Sequence, residues 1–106
     1  MLEILFMKQG EIIKTKIKNV YLHKQVREIL GEQYGNYSSE YIAVLDESPE
    51  GIACVDSFAQ HLHPDWVRKT ENRAQTLSSE LYGRNVEVCV VDVFHTGKFE
   101  AVITKW

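Results

Sequence analysis

The chain has 106 residues, 44% of them hydrophobic and 25% charged, with a formal net charge of −3 at pH 7. This describes one domain, residues 1–106, with apolar matter enough for a core that needs neither metal nor disulfide, and it excludes a disordered chain or a coiled coil. The negative balance argues against a nucleic-acid binder, which needs a basic surface to release counterions, although Lys14, Lys16 and Lys18 cluster locally.

Leu2 to Met7 reads as a strand. It is too short for a signal peptide's apolar core and has no basic segment before it. No run of about twenty apolar residues is present to span a bilayer. A cytoplasmic protein without membrane contact is expected. Lys8 to Glu11 is a turn, with Gly10 able to take positive φ. In Ile12 to Lys18, Ile13, Thr15 and Ile17 alternate with the three lysines, the period of a half-exposed strand. Lysines along one side suit an edge strand.

Asn19 is a fair N-cap for a helix whose apolar stripe is Leu22, Val26, Ile29 and Leu30. Tyr34 lies near its end, and His23, Lys24, Arg27, Glu28 and Glu32 face water. Gly35-Asn36 stops it. Glu40 to Asp46 is a strand, Glu47 to Gly51 a turn, and Ile52 to Phe58 the returning strand. A longer helix then starts at Pro64. Trp66, Thr70, Ala74, Leu77 and Leu81 form one face, and Gly83 ends it. Strand-like VEVCVVDVF turns at Thr96-Gly97 and returns as KFEAVITKW. A two-residue loop sets Phe94 opposite Phe99 and Val90 opposite Ile103.

Both helices end in Tyr-Gly and lead into an apolar strand that ends in Asp, so an α-β-β unit reads as used twice. The order is ββ-α-ββ-α-ββ. Short links favour antiparallel pairing. The expected fold class is α+β: a two-layer sandwich, its mainly antiparallel sheet of about six strands carrying two helices on one face.

For chemistry, His61 and His63 stand out. At i and i+2 in an extended chain they point the same way and offer two zinc ligands of the three or four required. The spelling His61-Leu62-His63-Pro64-Asp65 is similar to the opening of the metal-binding motif of metallo-β-lactamase-type hydrolases. That motif continues with another histidine, where this chain has Trp66, so the likeness stops at five residues. The plain reading of the segment is a polar loop entering a helix. Asp46, Asp56 and Asp92 end or interrupt apolar strands. Cys54 and Cys89 fall inside strand patterns, as buried and inert thiols do. Trp66 and Tyr82 suit the walls of an apolar pocket. Trp106 either packs over the sheet rim or anchors a partner.

No catalytic residue and no cofactor is assigned from these patterns. The expected function is a non-catalytic binding module, self-associating as a homodimer through an uncovered sheet face or taking a protein partner. Its candidate binding residues are His61, His63, Trp66, Tyr82 and Trp106. The alternatives are a small metal-dependent enzyme using His61 and His63, and a small-molecule pocket protein.

Overall fold

Lys14, Lys16 and Lys18 do face outward, but the strand that carries them runs further than its alternation suggests. In the computed structural model, which describes residues 7–30 and 40–106, β1 spans Ile12–Leu22. It is followed by α1 (His23–Leu30), β2 (Tyr41–Leu45), β3 (Gly51–Cys54), α2 (Asp56–Leu62), α3 (Glu71–Leu81), β4 (Asn85–Val93) and β5 (Phe99–Lys105). The expected first strand, Leu2 to Met7, lies outside the described residues except for Met7, which is not in a strand. The expected helix end at Tyr34-Gly35 also lies outside them.

The first half of β1 pairs with β4, from Ile12 opposite Cys89 to Lys16 opposite Asn85. Its second half pairs with β2, from Ile17 opposite Leu45 to Leu22 opposite Tyr41. The register breaks between Ile17 and Asn19, and an irregularity of this kind bends a strand. One long bent strand thus serves two neighbours, and the sheet closes in the order β1-β2-β3-β5-β4. Only β3 and β5 run parallel; the other pairs are antiparallel. The described residues therefore form a closed barrel of five strands with three short helices. This overturns the open six-stranded sandwich with two helices on one face. A closed barrel has no edge, so β1 is not an edge strand and its lysines line an outer wall.

The run β4-β1-β2-β3 is a Greek key, and the whole is an architecture shared with OB-type barrels. A shared architecture carries no function with it. In OB barrels the outer face of strands 2 and 3 takes ligands. Here Val26 of α1 is fully buried against Ile42, Val44 and Ile52 on that face.

Four local expectations change. Asn19 is no N-cap, because pairing with Val44 keeps it in β1; the Gln25 side chain instead accepts the Leu22 N–H at 2.9 Å, at the start of α1. His23, expected in water, is only 3% exposed. The strand from Ile52 ends at Cys54; Val55 is the N-cap of α2, and Phe58, Ala59 and Leu62 follow on the helix at helical spacing. The helix expected from Pro64 begins at Glu71, where Thr70 Oγ1 accepts the Arg73 N–H at 3.2 Å. Its lower stripe holds: Ala74, Leu77 and Leu81 are buried. Ser78 accepts the Val20 N–H at 3.1 Å, tying α3 to β1.

The last hairpin has a longer loop than two residues. Val93 lies opposite Phe99, Val90 opposite Ala101 and Val88 opposite Ile103, with register shifts on the way. Phe94 leaves the ladder to pack with the outer cluster under α1, and its N–H donates to the Lys98 carbonyl at 2.8 Å.

Candidate functional site

Lys14 and Lys16 share the outer face of β1 because they are two residues apart. The register sets Lys14 opposite Glu87 and Lys16 opposite Asn85. Glu87 in turn lies opposite Lys105 of β5. Together they line a groove of about 420 Å³ whose floor includes Thr15 and Val86 and whose end is Trp106. Among the described residues, none of the three lysines forms an ion pair. Among side chains, the groove thus gathers three ammonium groups against one carboxylate. Thr15 is 8% exposed and, among the described residues, its Oγ1 has no hydrogen-bond partner. Trp106 stacks on Phe58 of α2 at 4.1 Å between ring centroids. The Arg84 guanidinium lies 4.6 Å from the Phe58 ring and 5.9 Å from the Trp106 ring, so a further cation stands at the aromatic end.

A second concavity, of about 280 Å³, opens where β2 meets the connection between α2 and α3. Asp56, in the first turn of α2, accepts the Tyr41 N–H on Oδ1 at 2.6 Å and pairs through Oδ2 with Lys69. The hydrogen bond from Lys69 to the Asp56 carboxylate raises the pKa of Lys69. Tyr41 is 1% exposed, and among the described residues no group completes a hydrogen bond of normal geometry to its Oη. Burial raises the pKa of the phenol, and Asp56 adds to the rise. The Arg73 charge, the Thr70 backbone and Lys69 offset part of it. Trp66 forms a wall, its ring 6.3 Å from that of Tyr41. His63 stacks on Trp66 at 3.8 Å and 9°. His63 Nε2 in turn meets both carboxylate oxygens of Glu80, at 2.9 and 3.1 Å. Arg73 lies 5.5 Å from the Trp66 ring.

Of the five residues singled out from sequence, the structure brings His63 and Trp66 together. His61 is exposed in the last turn of α2. Tyr82 caps the end of α3 with 74% of its surface exposed and does not line the Trp66 cavity. Trp106 packs on Phe58 at the barrel rim. Among the described residues, no three His, Cys, Asp or Glu side chains converge to hold a metal ion. Asp46 and Asp92 are exposed. Neither thiol is fully buried: Cys54 is exposed and Cys89 intermediate, and both are free. Sequence reasoning named Asp56 among its carboxylates but missed its partner Lys69, as well as Lys105 and Tyr41. Their only local signals were an aromatic at a strand entry and the helical spacing from Val55 to Leu62.

No helix among the described residues is long and apolar enough to cross a membrane. No family model, curated protein or solved structure matches the chain.

Proposed function

We propose that this chain is a non-catalytic binding domain that takes a small anionic molecule in the groove between β1, β4 and the end of β5. The observation that carries this reading is the convergence of Lys14, Lys16 and Lys105 on one groove with no ion-pair partner among the described residues. Like charges gathered on one surface repel, and a bound anion relieves that repulsion. Ammonium groups act as point charges and suit phosphate as well as carboxylate. The groove's volume falls within the range of small-molecule sites. Its lining offers no thiol, histidine or nucleophile with a base beside it, which is why the reading is binding and not turnover. Self-association has less support now that the sheet is closed. Its remaining ground is the outward exposure of Val91 (39%) and Val102 (52%).

Calorimetric titration with pyrophosphate at low salt tests the proposal. The wild type is expected to bind saturably, and the Lys14→Gln/Lys16→Gln double variant to bind about tenfold or more weakly. Added salt is expected to weaken both. Absence of saturable binding, or equal binding by the variant, contradicts the proposal. Tighter lysine-dependent binding of a single-stranded oligonucleotide replaces the small anion with nucleic acid.

A further inference from the structure

We infer that the cavity between Tyr41 and Trp66 is a second, independent binding site, for a small monocarboxylate with a flat apolar body. A buried hydroxyl without a partner is costly to keep, and native interiors hold few of them. The Tyr41 Oη is such a group, on a residue 1% exposed that lines a cavity of about 280 Å³. A ligand oxygen seated there would accept its proton.

The charges around the phenol choose the ligand's sign. Lys69 and Arg73 act on Tyr41 from one side of the balance and Asp56 from the other, two cations against one carboxylate. Both Asp56 oxygens are already engaged, one by the Tyr41 N–H and one by Lys69. Asp56 and Lys69 thus satisfy each other, and the remaining charge, Arg73 at 5.5 Å from the Trp66 ring, favours a carboxylate over an amine. A charge-assisted hydrogen bond from Tyr41 to a carboxylate is stronger than a neutral one.

The rest of the cavity suits a planar body. Trp66 presents a ring whose position is fixed by the His63 stack, and His63 is fixed by Glu80. Such a braced ring offers contact area at little ordering cost. Pro64 and Val67 complete the apolar side, and Val67 is 92% exposed at the mouth. A benzoate-sized molecule is the simplest probe that carries both features.

Benzoate is titrated into the Trp106→Phe protein, which leaves Trp66 as the sole tryptophan. Trp66 fluorescence is expected to change saturably with benzoate and far less with benzyl alcohol. Tyr41→Phe in the same background is expected to keep or raise the melting temperature while weakening benzoate about tenfold or more. Lys14→Gln/Lys16→Gln is expected to leave benzoate binding unchanged, which separates this site from the groove. Should Trp106→Phe not fold, saturation-transfer NMR of benzoate with the wild type and with Lys69→Gln reads the same contrast. A non-saturable response, or undiminished affinity in both Tyr41→Phe and Lys69→Gln, overturns the assignment.

Discussion

Cys54 ends β3 with part of its surface open to solvent, yet its chemistry is that of a quiet thiol. Desolvation of the thiol, joined by the charges of Asp56 and Glu40, pushes its pKa to about 12, against a smaller opposing effect of the Asp56 backbone. The thiolate is the nucleophile, so accessibility alone does not make Cys54 reactive. In a Cys89→Ser protein, alkylation by iodoacetamide should be slow at pH 8 and should keep accelerating as pH rises through 10. A rate that levels off near pH 9 contradicts this. At the same scale, the histidine pair shows where reading residues from sequence goes wrong. Two histidines at i and i+2 point together only in an extended chain. His61 lies in α2 and His63 caps it, and residues two apart on a helix do not face each other. Trp66 was legible as a wall of a pocket, but its phenol partner is Tyr41, which strand pairing and not sequence proximity brings to it.

The parallel pairing of β3 with β5 rests on one close approach. Gly51 lies opposite Phe99, and a Cβ added at Gly51 would come within 2.2–2.7 Å of the Phe99 ring. Phe99 is fully buried, so its ring has no empty space to enter. Gly51→Ala should lower stability by about 1–3 kcal/mol, the usual cost of overpacking a core, and Phe99→Leu in the same chain should return part of it. Urea denaturation reads both; an unchanged midpoint in Gly51→Ala contradicts the packing described here. Element types were partly legible from period and turn chemistry. The stripe Ala74, Leu77, Leu81 and the positive φ of Gly10, Gly83 and Gly97 are where the patterns put them. Helix starts were not, because Thr70 outcompetes Pro64 as the point where capping begins, and Val55 to Leu62 fits a strand end and a helix equally well until the fold decides.

Closure of the whole sheet was illegible for a specific reason. It depends on β1 pairing with β4 through Lys16 and with β2 from Ile17 onward, and nothing in the local alternation of Ile12 to Lys18 states that a strand will change partners. The same closure decides where the charge goes. A chain of net −3 has a basic groove because the β1–β4–β5 register gathers Lys14, Lys16 and Lys105 around Glu87, a juxtaposition that overall charge cannot reveal. The most direct test is a two-dimensional amide NMR titration of the labelled protein with pyrophosphate. Binding in the groove predicts saturable shifts at residues 14–16, 85–87 and 105–106, and little change at Val91 or Val102. No shifts, or shifts confined to Val91 and Val102 that follow protein concentration and not pyrophosphate, would contradict the anion site and favour a second copy of the chain as the partner.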